Sequence, residues 1–89
     1  MRFHAQHVDA FKEIFRLNWH LIKNFEGCSH VELLQDENQP EIFFTYSLWE
    51  SEAHLNHYRN SELFARVWKS TRALFAEKAQ AWSVKQVEF

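Results

Sequence analysis

Apolar residues first recur at three- and four-residue steps: Phe11, Ile14, Phe15, Leu21, Ile22 and Phe25 share one stripe. This period predicts a helix over residues 7–24. Asp9 and Glu13 lie toward its start and Lys23 near its end, as the helix dipole favours. Gly27 stops it, because glycine takes a left-handed backbone at little cost. Residues 28–35, with Val31, Leu33 and Leu34, read as a strand. The polar stretch 36–40, closed by Pro40, is a turn. Residues 41–49 form the strongest strand, almost all β-branched, aromatic or apolar. Ser51 is an N-cap for a short helix to about Arg59, and Ser61 is the N-cap of a second long helix. There Phe64, Val67, Trp68, Leu74 and Phe75 make the stripe, and the end falls near Lys78. Residues 82–89 read as a last strand.

With residues 1–4 as the stub of a first strand, the order becomes βαββαβ. That is an α+β chain of ferredoxin-like plan with a shortened first strand. Along residues 41–49, Ile42, Phe44, Tyr46 and Leu48 share one face, and Phe43, Thr45, Ser47 and Trp49 the other. Both sets include bulky apolar groups, so both faces need cover. The two helices of this plan lie on one face. A second copy of the same sheet is the simplest cover for the other, and the expectation is a homodimer.

Composition narrows the function. The chain has 89 residues, which is one domain over residues 1–89. A domain this small has little interior to spare, but 17% of its residues are aromatic, so any ligand cavity draws on an aromatic-rich core. One glycine and one proline exclude a glycine-rich phosphate loop. Ten Lys and Arg against twelve Asp and Glu give a net charge of −2, which is not the basic footprint of a nucleic-acid binder. Cys28 is the single cysteine; it forms no intrachain disulfide and suits a reducing compartment. No run has the roughly 18 apolar residues of a membrane span, and Met1-Arg2-Phe3-His4 lacks an apolar signal core. The expectation is a cytoplasmic protein with neither nucleic acid nor membrane as partner.

Trp49-Glu50-Ser51, then Leu55, Ser61 and Phe64, fit the pattern W-x-S-x-x-x-L-x-x-x-x-x-S-x-x-F. With Phe25-Glu26-Gly27-Cys28 before the first full strand, the chain resembles the antibiotic biosynthesis monooxygenase family from Val8 to about Val87. The resemblance implies a ferredoxin-like protomer paired through its sheets into a dimeric α/β barrel. It also implies, for part of that family, oxygenation of quinols and phenols without a cofactor, and for another part haem degradation. Two departures matter, one in the first strand and one in the chemistry. Members usually begin with a full first strand. Haem-degrading members carry a ligating His four residues after the Phe of S-x-x-F, where this chain has Trp68. Quinol-type members often carry a His in the short helix, where the matching residue is Tyr58. The resulting expectation is a cofactor-independent monooxygenase using O₂ and a small aromatic substrate, without haem, flavin or metal. The alternative is a non-catalytic dimeric module that binds a small hydrophobic molecule.

The candidate site residues follow. The resemblance places a pocket-lining Trp at Trp49, whose ring could stack a substrate; a core Trp is the competing reading. Asn18, central on the first helix's apolar stripe, is read as an amide that orients a substrate oxygen, against a structural hydrogen bond. These two are the catalytic candidates. Thr45, Tyr58 and Trp68 are the substrate-binding candidates. Thr71 bonds back to its own helix. His54 and His57 are spaced for one helix face but lack further ligands in an evident motif, and His4 and His7 make a weaker pair still. Cys28 reads as a small buried residue rather than a nucleophile. The general base is left unassigned, with Tyr58 or a His in view.

Overall fold

In the computed structural model, which describes residues 1–89, the first apolar stripe becomes α1, Val8–Lys23, after a 3₁₀ turn at Ala5–His7. The strands are β1, Cys28–Gln35, and β2, Phe43–Trp49, followed by α2, Glu52–Arg59, and α3, Glu62–Arg72. Ser51 and Ser61 do cap their helices, accepting from the backbone N–H of His54 and Phe64. β1 and β2 pair antiparallel, with Val31 opposite Ser47, Leu33 opposite Thr45 and Gln35 opposite Phe43. The stub contributes two isolated bridges, Arg2 with Ile42 and Phe3 with Phe75. Residues 1–3 therefore lie between the start of β2 and residues 75–76, as the first strand of a ferredoxin-like sheet should.

The alternation along β2 separates two environments. Phe43 is buried with Phe3 and Phe11 in the main core, against Met1, Val8, Leu33, Leu74 and Phe75. Phe3 stacks on Phe11 at 4.1 Å between centroids and meets Phe75 at 5.1 Å. α1 is pinned to the sheet where Trp19 Nε1 donates to the Val31 carbonyl at 3.0 Å. The opposite face is bare: Phe44, Tyr46 and Leu48 are 48, 43 and 46% exposed. No helix is long and apolar enough to cross a membrane.

The strand read over residues 41–49 begins at Phe43, and two further differences from the sequence pattern are larger. The second long helix ends at Arg72, not near Lys78, because Leu74 and Phe75 leave the helix to pack on the core and pair with Phe3. Residues 82–89 form no strand; residues 77–89 have no regular secondary structure. Strand-forming side chains need a backbone partner, and the first-strand stub is too short to give one past residue 77.

Candidate functional site

The loop between α1 and β1 sets one wall. Gly27 has φ +87, and a Cβ there would collide with the side chain of His54 on α2. Both its left-handed backbone and the close approach of α2 require glycine. The Gly27 carbonyl accepts from Glu50 N–H at 2.8 Å, which ties the loop to the end of β2. Phe25 is thereby held 6.3 Å from Trp49 and 5.3 Å from Tyr58. Trp49 is oriented through its Nε1, which donates to Ser47 Oγ at 3.0 Å.

The two capped helices supply the rest. Ser51 Oγ accepts from His54 N–H at 3.2 Å and lies 2.6 Å from His54 Nδ1. Starting from that cap, α2 brings Tyr58 face to face with Trp49, at 5.0 Å and 24°. Ser61 joins α2 to α3: its hydroxyl donates to the Tyr58 carbonyl at 2.6 Å and accepts from Phe64 N–H at 3.1 Å. Phe64 then meets the Tyr58 ring edge-on at 5.2 Å, and Trp68 stacks on Phe64 at 6.0 Å and 7°. Trp68 in turn meets Phe75 at 5.4 Å. A continuous line of rings runs from the loop end of the sheet into the main core.

The structure thus brings together Trp49 and Tyr58, with Trp68 two rings further on, beyond Phe64. Thr45 shares their face of β2, exposed, four residues before Trp49. Asn18 bonds elsewhere: its Nδ2 donates to the Ile14 carbonyl at 2.8 Å, and its Oδ1 accepts from Arg66 on α3 at 3.2 Å. Thr71 is the single buried polar residue. The sequence reading missed Arg66 and gave Phe25 and Phe64 no site role. The two phenylalanines stood in the motif and the apolar stripe, but their convergence depends on how α2 folds back.

Burial pushes the Tyr58 phenol up to about 12, with neighbouring Cys28 adding to the rise. Burial also pushes the Cys28 thiol up. Both groups are therefore neutral near pH 7, so Tyr58 is a hydrogen-bond donor rather than a base, and Cys28 is no thiolate nucleophile. His57 is the one imidazole packed on the cluster, 5.6 Å from Phe25 between ring centroids. No three His, Cys, Asp or Glu side chains converge as metal ligands. Beside Phe25, between α1 and α3, lies an open hollow of about 740 Å³, lined by His20, Leu21, Asn24, Leu63 and Arg66 among others. A smaller one of about 270 Å³ is lined by Glu26, Ala53, His54 and His57.

The family model described as antibiotic biosynthesis monooxygenase matches residues 1–70. No curated protein matches the sequence. A crystal structure titled antibiotic biosynthesis monooxygenase is similar over 98% of this chain and 92% of its own, with 17% identity and a TM-score of 0.90. A Bordetella bronchiseptica protein provisionally named for the same activity is similar over 99% of this chain and 91% of its own, at 20% identity and a TM-score of 0.86. A conserved protein from Methanosarcina mazei Go1 follows at 18% identity, 86% and 76% coverage and a TM-score of 0.82. At such identities the likeness concerns the fold.

Proposed function

The chain belongs to the antibiotic biosynthesis monooxygenase family, and from that premise we propose that it is a cofactor-independent monooxygenase of a small quinol- or phenol-type substrate, working as a cytoplasmic homodimer. The observation that carries this reading is the cluster of packed rings Phe25, Trp49, Tyr58 and Phe64, of which Phe25 also lines the open hollow. The substrate loses a proton, and the electron-rich phenolate passes one electron to O₂. The phenoxyl radical, through a ring carbon, and superoxide then combine into a C–O bond, and the peroxide anion takes back the proton to become a hydroperoxide. With an anthrone-like substrate, loss of water from that hydroperoxide leaves the second carbonyl, so one oxygen atom is retained and the other leaves as water.

The protein's share is to bind, orient and exclude water. Trp49 stacks the ring, and Thr45 and Trp68 flank it. Tyr58, as a neutral phenol, donates to the substrate oxygen. Asn18 and Arg66, bonded to each other, hold a second oxygen, where the guanidinium favours the phenolate. His57 takes the proton. An oxygen electrode with a panel of quinols and anthrone-like phenols, without added metal or flavin, tests this. Uptake that falls in Trp49→Phe supports it, and no uptake across the panel counts against it.

One observation favours the second reading, a non-catalytic dimeric module for a small hydrophobic molecule. One face of Trp49 is already occupied by Tyr58, and a ring pair that stacks on itself leaves less surface for a substrate. Saturable binding of an aromatic ligand without oxygen uptake would select that reading.

A further inference from the structure

The bare face of the sheet is not purely apolar. In the β1–β2 ladder His30 lies opposite Leu48, Glu32 opposite Tyr46 and Leu34 opposite Phe44, and residues directly opposite share a face. His30 Nε2 stands 3.5 Å from Glu32 Oε2, with both side chains 45% exposed. The Tyr46 ring meets the His30 ring at 6.3 Å. A carboxylate and an imidazole therefore sit among Leu34, Phe44, Tyr46 and Leu48, on the face that the homodimer reading covers with a second copy.

That cover changes what Glu32 needs. A carboxylate taken from water is costly unless a positive charge replaces the lost solvation. β1 and β2 contain no lysine or arginine, and Glu32 is their one carboxylate. The charged groups at the margins are already engaged. Arg2, opposite Ile42, is held by Glu41 at 2.7 Å and Glu77 at 3.3 Å. Asp36 accepts from the N–H groups of Asn38 and Gln39 in the turn, and Glu50 stands 3.5 Å from His54. Cys28, past the irregularity in the ladder, lies opposite Trp49 on the other face. Tyr46 can donate a hydrogen bond to Glu32 but no charge.

A two-fold contact sets a surface against its own copy, so the strands of the second sheet bring no lysine or arginine either. Two carboxylates enter the contact, and the strand groups able to carry positive charge beside them are the two His30 rings. Imidazole takes up a proton at about pH 6.5 and a carboxylate at about 4.3, which makes the ring the cheaper place for it. We propose that each copy takes up one proton at His30 when the two sheets meet, so that His30 and Glu32 enter the contact as an ion pair without net charge. The dimer then binds up to two more protons than two separate copies do. Assembly therefore tightens as pH falls through the imidazole range, with log Kd changing by at most about two per pH unit. This rests on the homodimer proposed above and adds proton-linked control of that surface.

The test is the dimer Kd, by sedimentation equilibrium at about pH 8 and pH 6, for the parent, His30→Gln and Glu32→Gln. Both side chains are half-exposed in the single copy, so neither substitution removes a contact of the protomer core. In the parent, Kd should fall about tenfold or more on acidification. In His30→Gln the change should shrink to within about threefold. In Glu32→Gln its sign should reverse, because a charged ring then has no carboxylate beside it; a pair that merely fills the surface gives no reversal. NMR supplies a readout independent of affinity. At about pH 7 the His30 ring signals of the dimer should lie at the protonated position in the parent and at the neutral position in Glu32→Gln. A Kd that does not change with pH, a fall that persists in full in His30→Gln, or a neutral His30 ring in the parent dimer each overturns the proton uptake and leaves the homodimer standing. A monomer at every pH removes the homodimer reading and this one with it.

Discussion

Tyr58 and Trp49 form the closest ring pair of the site, 5.0 Å apart, and their substitutions report on different properties. Trp49→Phe keeps an apolar ring but shortens the stacking surface and removes the bond to Ser47. Ligand binding should weaken by about 1 kcal/mol, read as a several-fold rise in Kd or KM with the fold retained. Tyr58→Phe reports through pH. The folded phenol is held near 12 against an ordinary 10.0, so folding favours its protonated form. Its contribution is fully present below pH 10 and is lost as pH rises toward 12. Melting temperatures should therefore decline less steeply over pH 10–12 in Tyr58→Phe than in the parent, and parallel curves would contradict the burial argument. Asn18→Leu removes bonds to Ile14 and Arg66 at a half-buried position. A structural role lowers the melt of the empty protein by the equivalent of about 1 kcal/mol; a role in holding substrate oxygen lowers turnover or binding beyond that. Thermal melts beside oxygen uptake separate the two.

At the scale of elements, the site depends on two serine caps and one glycine. Ser51→Ala removes the cap of α2 and should cost about 1 kcal/mol. Ser61→Ala should cost more, because that hydroxyl also bonds the Tyr58 carbonyl at 2.6 Å and so joins α2 to α3. Urea midpoints rank the two, and the reverse order would show that the joint between the helices is unimportant. Gly27→Ala combines an unfavourable backbone with a collision on His54, and its cost should exceed the ~1 kcal/mol of an ordinary left-handed position. Among the elements, β1 and both caps were legible in the sequence to the residue, and α1 nearly so. Their signals are local: a period of 3.6, a β-branched and aromatic run, and a serine before each helix. The end of α3 was not legible, since Phe75 fits a helical stripe as well as a bridge to Phe3, and only the core chose between them.

For the whole molecule, the bare face of Phe44, Tyr46 and Leu48 is the largest consequence of the strand pattern. In solution the chain should scatter light as about twice its 10.8 kDa protomer. A mass near the protomer value at micromolar concentration would end the homodimer reading. Tyr46→Asp should shift the population toward monomer, because it places a charge in an apolar contact.

By itself, the sequence determined where the helices and strands of residues 8–72 lie, to within a few residues, and that both sides of β2 carry apolar groups. These follow from spacing along one chain. It also marked Trp49, which opens the motif, and, through the family resemblance, Tyr58. Only the tertiary structure decided that their rings stack on each other, that Phe25 and Phe64 close around them, and that Asn18 turns to Arg66. Those contacts join residues from different elements, and no periodicity encodes the angle at which α2 returns to the sheet. The fate of residues 82–89 was decided in the same way. Their side chains favour a strand, but a strand exists only where another backbone lies beside it, and within one copy none does.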